Sequence, residues 1–196
     1  MSKGRLEAFS DGVLAIIITI MVLELKVPHE TTIEALGSLA PVFGSYVLSF
    51  VILGTYWNNH HHTLQAAKFI NGRTLWANLH LLFWLSLLPF GTAWMGENSF
   101  APVPTAIYGV LQVMAALAYT LMLYTLASVQ GQPPELREAI GRDVKGKASV
   151  LGMALGIPVS LVAPLVGLTI YIAVAGLWFI PDRRMERALG RTRAGD

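Results

Sequence analysis

Six long apolar segments account for most of the chain, and they restrict it to one class of fold. A helix needs roughly 20 mostly apolar residues to cross the hydrocarbon core of a bilayer, and the first five segments reach that length. Their continuous apolar character differs from the alternating pattern of membrane β-strands. The sequence therefore predicts an all-α membrane protein in which residues 1–196 form a single domain of six transmembrane helices. The predicted helices cover residues 6–27, 39–58, 74–95, 103–128, 147–165 and 167–181.

Most basic residues follow the ends of these segments on one side of the membrane. Lys3 and Arg5 precede the first helix, and further basic residues lie in the loops after the second and fourth helices. The opposite side carries Lys26 and several glutamates. By the positive-inside rule both termini are cytoplasmic, as are the loop at 129–147 and a basic tail at 182–196. The net charge of +2 is therefore explained by membrane topology and does not indicate a nucleic-acid partner.

Only 13% of the residues are charged and none is cysteine, which narrows the possible chemistry. The absence of cysteine excludes disulfides, thiolate metal sites and cysteine nucleophiles. The chain also lacks a phosphate-binding loop, a dinucleotide-binding glycine motif and the nucleophile elbow of hydrolases. We therefore predict that it is not an enzyme and that it holds no metal or organic cofactor. It also lacks the Thr-Val-Gly-Tyr-Gly filter of the usual potassium channels, so a channel here would select ions by other means.

Small residues are frequent on the predicted fourth and fifth helices, among them Gly109, Gly152 and Gly156. Small side chains let helix backbones approach closely in lipid. This pattern favours packing of these two helices against each other.

The first helix carries a stripe of aliphatic side chains. Ile16, Ile20 and Leu23 are spaced i, i+4 and i+7, and Thr19 lies beside them. Such a stripe can pack against a neighbouring helix or lipid. It can also line a pore and form a hydrophobic constriction there. Periodicity alone leaves both interpretations open.

An arginine and an aspartate lie at the start of the same helix. Arg5 and Asp11 are separated by about 9 Å along the helix axis and by about 240° around it, so they do not share a face. Each needs a partner from another helix or another subunit, in a polar network of the bundle. Alternatively, Arg5 reaches lipid phosphates and Asp11 caps the helix. The candidate partners lie toward the cytoplasmic half of the first three helices: Ser10, Trp57, Asn58, Asn59, His60, His61, His62, Asn78 and His80.

Three consecutive histidines lie at the end of the second predicted helix. Consecutive residues on a helix point about 100° apart, so His60, His61 and His62 of one chain cannot converge on one metal ion. Helical metal sites instead use i, i+3 or i, i+4 spacings with carboxylates. We interpret these side chains as interfacial or hydrogen-bonded histidines, which could also sense pH because histidine titrates at about 6.5.

The polar residues of the first three helices resemble the signature of the transmembrane protein 175 family in its bacterial form. The motif that carries the resemblance is Arg5-x-x-x-Phe9-Ser10-Asp11, followed by Ala15-Ile16-x-x-Thr19. Two further elements are similar to the family, Tyr56-Trp57-x-x-His60-His61 and Asn78-Leu79 to Leu87-Leu88-Pro89-Phe90. The resemblance covers the N-terminal half, whereas helices four to six match by topology.

This resemblance implies a potassium-permeable cation channel in the plasma membrane of a bacterium, surrounded by membrane lipid. Such a channel is a homotetramer of six-helix subunits in which the first helix of each subunit lines a central pore. The aliphatic residues five, nine and twelve positions after the motif aspartate would form the constriction, which here are Ile16, Ile20 and Leu23. Thr19 matches a hydroxyl position beside the first of these. The remaining motif residues would hold the pore helix against the second and third helices: Arg5, Phe9, Ser10, Asp11, Trp57, His61 and Asn78.

The residues also leave a second class of function open, a small proton-coupled secondary transporter. Asp11 and the cluster of His60, His61 and His62 would then relay protons. A transporter of this kind is expected to have a midplane site between broken helices, whereas the charged residues here crowd the predicted cytoplasmic end. A histidine-box oxidoreductase would need more histidines at helical spacing than the five present.

Overall fold

The computed structural model describes residues 2–141 and 143–178, and within these ranges the regular structure is entirely helical. The all-α class predicted from the sequence is confirmed. The described helices are α1 (Lys3–Leu23), α2 (Ile33–Ser38), α3 (Ala40–Ala66), α4 (Gly72–Ser86), α5 (Leu88–Glu97), α6 (Pro102–Ala127), α7 (Pro134–Gly141), α8 (Val144–Val162) and α9 (Pro164–Leu177).

Five segments of the described chain are long and apolar enough to cross a membrane. They are Lys3–Leu23, Ala40–Ala66, Gly72–Glu97, Pro102–Ala127 and Pro134–Val162. The apolar helix α9 is shorter, with 14 residues. Six crossings therefore stay a prediction. The predicted basic tail at 182–196 and the predicted end of the sixth helix at 179–181 lie outside the described residues.

The third predicted helix consists of two helices. α4 ends at Ser86 and α5 begins at Leu88, with Pro89 in its first turn. Proline lacks a backbone N–H, which a helix interior needs and a first helical turn does not. Pro89 therefore marks the start of a new helix within one apolar segment.

The second predicted helix is longer than expected, because α3 continues to Ala66 instead of ending at residue 58. The polar run that suggested a helix end lies inside its last turns. One of these side chains supports the helix locally, since Asn59 Nδ2 donates to the carbonyl of Thr55 at 2.8 Å. Others bond to neighbouring helices, as described below.

The predicted loop at 129–147 contains the short helix α7 and the start of α8. α7 begins with Pro134, a residue that suits the first helical position. Its Leu136 and Ile140 are buried against the bundle. This loop is therefore folded onto the membrane helices through an apolar face.

α6 is the central helix of the bundle, where it contacts α4, α5, α8 and α9. The predicted packing between the small residues of α6 and α8 is confirmed, and these helices share the largest interface. The helix α1 lies elsewhere, packed against α3, α4 and α5. The fold thus places α1 at one side of the bundle and α8 with α9 at another.

Candidate functional site

The helix α1 has two different faces. Its buried face carries Leu6, Ser10, Leu14, Ile17 and Met21, each at most 3% exposed. These residues recur every three or four positions, the spacing that brings side chains onto one side of a helix. α1 is therefore held against α3, α4 and α5 along its whole length.

The opposite face of α1 is exposed in the single chain. Ile16, Ile20 and Leu23 are 60%, 42% and 75% exposed. Thr19 lies on the same face, and its hydroxyl donates to the carbonyl of Ala15 at 2.8 Å. Because that hydrogen is used within the helix, the oxygen lone pairs of Thr19 face outward as acceptors. The exposed face thus combines an aliphatic stripe with one hydroxyl oxygen.

A chain of buried hydrogen bonds joins α1, α4 and α3. Asn78 Nδ2 donates to Ser10 Oγ at 3.0 Å, and Asn78 Oδ1 lies 2.7 Å from Nε2 of His60. Ser10 in turn donates to the carbonyl of Leu6 at 2.9 Å. The Ser10, His60 and Asn78 side chains are at most 1% exposed. A buried polar chain of this kind is costly to break, because each freed group would lack water as a replacement partner.

The direction of these hydrogen bonds assigns a tautomer to His60. The amide nitrogen of Asn78 is used by Ser10, so the Asn78 oxygen faces His60 and accepts. Nε2 of His60 must therefore carry the hydrogen. Nδ1 of His60 is buried and has no hydrogen-bonding partner within residues 2–141 and 143–178. A neutral ring protonated at Nε2 fits this arrangement, whereas a second proton on Nδ1 would have no acceptor there.

The carboxylate of Asp11 binds α3 directly. Trp57 Nε1 donates to Oδ1 of Asp11 at 3.0 Å. The Trp57 ring also stacks on His61, with ring centroids 6.0 Å apart and planes inclined by 17°. Asp11 of α1 is therefore hydrogen-bonded to a residue of α3, the second predicted helix.

Glu7 is a site residue that sequence reasoning missed. Its Oε1 lies 2.9 Å from Nδ1 of His61, and Gln65 Nε2 lies 2.8 Å from Nε2 of the same ring. Because the Gln65 amide donates to Nε2, the hydrogen of a neutral His61 lies on Nδ1 and points to Glu7. The spacing of the residues indicated this contact. Glu7 and Asp11 are four residues apart on α1, and Trp57 and His61 are four residues apart on α3, so each pair lies on one face of its helix.

Two motif residues lie on the outer side of α1. Arg5 is exposed, and its guanidinium has no hydrogen-bonding or ion-pair partner within the described part of one chain. Phe9 is 48% exposed. The single chain thus gives Ser10 and Asp11 their partners, while Arg5 and Phe9 face outward, where a second subunit or lipid would lie.

The three histidines point in different directions. His60 bonds to Asn78 and His61 to Glu7, while the ring centroid of His62 lies 5.8 Å from that of His61. Among the residues that the structure describes, no group of three histidines or carboxylates could hold a metal ion. The histidines therefore belong to separate contacts instead of one cluster of ligands.

The opposite end of α1 is tied to α5 by an ion pair. Lys26 Nζ lies 2.6 Å from Oε1 of Glu97, and both side chains are largely exposed. The hydrogen bond to Glu97 raises the pKa of Lys26 above its ordinary value. This contact links the segment after α1 to the end of α5 at the predicted extracytoplasmic side.

The N-terminal part of the chain matches a known family. Residues 5–89 match the sequence model of the family described as the endosomal/lysosomal potassium channel TMEM175. A protein named as a potassium channel in Chryseobacterium sp. (strain P1-3) is 50% identical over 189 residues, which are 96% of this chain and 98% of that protein. Another, from Streptomyces collinus, is 34% identical over 132 residues, 63% of this chain and 64% of that protein.

The fold also matches a solved structure. It is the crystal structure of a lysosomal potassium-selective channel TMEM175 homolog from Chamaesiphon minutus, with 25% sequence identity and a TM-score of 0.80. The match covers 92% of this chain and 97% of that one. The similarity therefore extends over α6, α8 and α9, where the sequence had offered topology alone.

Proposed function

Because the chain belongs to the transmembrane protein 175 family of ion channels, we propose that it forms a potassium-permeable cation channel constricted by Ile16, Ile20 and Leu23. The observation that carries this proposal is the exposed aliphatic face of α1. The opposite face of the same helix is fully packed, so the stripe has a fixed direction relative to the bundle. Relatives named as potassium channels and the shared fold support the choice of ion.

The proposed pore requires several copies of the chain. One subunit supplies one α1, so a closed ring of α1 helices needs a symmetric oligomer, and we propose a homotetramer. The contacts of Ser10 with Asn78 and of Asp11 with Trp57 support this arrangement, because they set the rotation of α1. Arg5 and Phe9 would then lie where neighbouring subunits meet.

Selection in such a pore would depend on dehydration. An ion that passes a ring of aliphatic side chains must shed water or wait for the constriction to become wet. Potassium is less strongly hydrated than sodium, so it would pass at a lower cost. The outward lone pairs of Thr19 would offer the ion an oxygen beside the first constriction. Modest preference for potassium follows from this chemistry.

We place the channel in the plasma membrane of a bacterium, with lipid around it and its termini in the cytoplasm. The relatives from Chryseobacterium and Streptomyces support the bacterial host. The cationic Lys3, Arg5 and Lys147 all lie at one end of the described helices, which supports the orientation by the positive-inside rule.

The pore assignment can be tested in liposomes with a potassium gradient. The variant Ile16→Asn should raise cation flux and reduce the preference for potassium over sodium, because a polar side chain lowers the cost of wetting the constriction. Ile172→Asn is the matched control, since Ile172 is 52% exposed on α9 and takes no part in the proposed pore. Native mass spectrometry of the purified protein should give the mass of four chains.

The outcomes separate the channel from its alternative. Flux through Ile16→Asn equal to that of the unmodified protein would show that Ile16 does not line the pore. Flux that saturates with substrate and depends strictly on a proton gradient would indicate the transporter, in which Asp11 and the histidines carry protons. In that case Asp11→Asn would abolish coupling and Ile16→Asn would have little effect.

A further inference from the structure

A groove runs between α6 and α8. It has a volume of 310 Å³ and lies on the outer surface of the bundle. Its residues recur at helical spacing on both helices, so the two faces meet along the groove. The lining includes Leu117 and Tyr124 of α6 and Asp143, Lys147, Leu151 and Ala154 around α8.

The two ends of this groove differ in chemistry. α6 ends at Ala127 and α8 begins at Val144, so Tyr124 and Lys147 lie at the same end of the bundle. Away from that end the lining is aliphatic apart from Thr120, whose hydroxyl donates to the carbonyl of Ala116 at 2.9 Å. The groove reaches Ala154, which is about 10 Å further along the helix axis than Lys147. The groove is therefore polar at the membrane surface and apolar toward the membrane interior.

The polar end offers unused hydrogen-bond donors. Lys147 is exposed, and its ammonium has no hydrogen-bonding or ion-pair partner in the ranges 2–141 and 143–178. The Tyr124 side chain is 51% exposed, and its hydroxyl likewise has no partner there. The Asp143 carboxylate lies at the same end, but its Oδ1 is occupied by a hydrogen bond from the backbone N–H of Gly146 at 2.8 Å. An anion next to Lys147 and Tyr124 would satisfy both donors.

The groove faces away from the proposed pore. α1 packs against α3, α4 and α5, whereas α8 packs against α6 and α9. If the exposed face of α1 points to the oligomer axis, the groove points outward, and in this respect alone the inference rests on the proposed function. The outward surface of a membrane bundle meets lipid.

We propose that the groove between α6 and α8 binds one anionic phospholipid per subunit. An acyl chain lies along Leu117, Leu151 and Ala154, and the phosphate accepts hydrogen bonds from Lys147 and Tyr124. A basic residue near the membrane surface attracts anionic lipid, so a single lysine can establish preference for such lipids. A zwitterionic lipid such as phosphatidylcholine offers the same phosphate, but its net charge is zero, so it is attracted to Lys147 less strongly.

Native mass spectrometry of the full chain in detergent tests the site directly. The protein is titrated with dioleoyl-phosphatidylglycerol and, separately, with dioleoyl-phosphatidylcholine. Lys147→Gln should weaken phosphatidylglycerol binding about fivefold and phosphatidylcholine binding by a smaller factor, because the choline cation offsets the phosphate charge of the second lipid. Tyr124→Phe, which removes one hydroxyl, should weaken it less. Arg73→Gln is the matched control, since Arg73 is exposed at the same end of the bundle but does not line the groove.

A second pair of variants tests the apolar part. Ala154→Phe fills the groove and should reduce binding of both lipids, whereas Ala148→Phe, on an exposed position of α8 outside the groove, should not. Equal losses for Lys147→Gln and Arg73→Gln would overturn the site in favour of general surface attraction. Unchanged binding in Ala154→Phe would overturn it as well. These assays measure no ion flux. If the groove variants leave lipid binding unchanged while Ile16→Asn alters flux as expected, the lipid site alone is rejected, and the reverse result rejects the pore alone.

Discussion

Trp57 and Asp11 are joined by a hydrogen bond of 3.0 Å from the indole nitrogen to the carboxylate, and this bond connects α3 to the proposed pore helix. Trp57 is 45% exposed, so water competes for the same carboxylate. The bond therefore adds a modest amount to stability. Its larger effect is geometric, because it restricts rotation of α1 about its own axis, and that rotation decides which residues face the pore.

Trp57→Phe should loosen α1. The variant removes the N–H donor and keeps an aromatic ring against His61, so it tests the hydrogen bond with little change in packing. We expect a loss of about 1 kcal/mol, which is less than usual for a bond to a charged group because the contact is exposed to water, together with a reduced preference for potassium. Thermal unfolding in detergent and liposome flux measure the two effects. Trp76→Phe, at a position that is 76% exposed on α4, should change neither. Equal effects in both variants would assign Trp57 no special role.

Asn78→Leu should be far more damaging than Trp57→Phe. It leaves Nε2 of His60 without its acceptor and removes the donor to Ser10, in a place that water does not reach. Each of these two buried groups costs about 1–3 kcal/mol when it is left unpaired, so the free energy of unfolding should fall by about 2–6 kcal/mol. Thermal unfolding in detergent measures this loss. Asn58→Leu is the control, because Asn58 is exposed on α3. A loss for Asn78→Leu no greater than that of the control would mean that the buried chain does not hold α1.

The sequence alone predicted the class of fold, because long continuous apolar segments allow few alternatives in a membrane. It placed the end of the second helix at residue 58, whereas α3 continues through the polar run from Asn58 to His62 and ends at Ala66. In that run Asn59 bonds to the carbonyl of Thr55 in its own helix, and two of the other side chains have tertiary partners, Asn78 for His60 and Glu7 for His61. Partners of this kind are distant in sequence, so local composition does not reveal them.

The candidate site was predictable to a different extent in its two parts. The stripe of Ile16, Ile20 and Leu23 follows from helical spacing, and the structure places all three on an exposed face. The pairing among the candidate polar residues could not be deduced from the sequence. Consecutive histidines differ by about 100° in direction, and the sequence does not say which of them faces the first or third helix. Glu7 was not among the predicted site residues, because a glutamate in the first turns of a helix is common and does not by itself indicate a site. Its role depends on His61, which only packing brings near.

Thr19→Val should reduce flux without changing stability. Valine has nearly the shape of threonine but offers no oxygen to a passing cation, and the hydroxyl contributes little to the fold because it bonds within its own helix. A lost contact of about 0.5–1.5 kcal/mol corresponds to a decrease in potassium flux of about 2- to 10-fold. The control is Thr169→Val on α9, whose hydroxyl makes the same bond to Leu165 at 2.8 Å and is also exposed. If both variants conducted like the unmodified protein, Thr19 would not touch the permeant ion.

The ion pair of Lys26 and Glu97 should have a pH dependence of known sign. Glu97 raises the pKa of Lys26 above its ordinary value of 10.5. The folded-state pKa exceeds the unfolded one, so the pair contributes fully below pH 10.5 and loses its contribution as pH rises through the folded value. Lys26→Gln should therefore lower Tm slightly at pH 7 to 10, and this effect should fade as pH rises through the folded-state pKa of Lys26. The change should be small and weaker in high salt, because the Lys26 side chain is 77% exposed. A difference that grew above pH 10.5 would contradict this assignment.

Gly109→Ala should disrupt the contact of α6 with α8 and α9. A Cβ at this position would overlap the Tyr171 hydroxyl and ring and would lie 3.1 Å from Cγ1 of Ile157. Tyr171 has little freedom to retreat, because it is buried and its hydroxyl lies 3.2 Å from Ser160. Overpacking of this kind costs about 1–3 kcal/mol, which thermal unfolding in detergent would detect.

Gly54→Ala provides the matched control for Gly109→Ala. Gly54 lies inside α3, and a Cβ there would meet no atom within 4 Å, so alanine should stabilise the helix by about 0.5–1 kcal/mol. In a Tyr171→Leu background, which removes the hydroxyl and part of the ring, the penalty of Gly109→Ala should shrink. If the full penalty persisted in that background, the cost would come from α6 itself. Overlap with Tyr171 would then not be the reason why position 109 needs glycine.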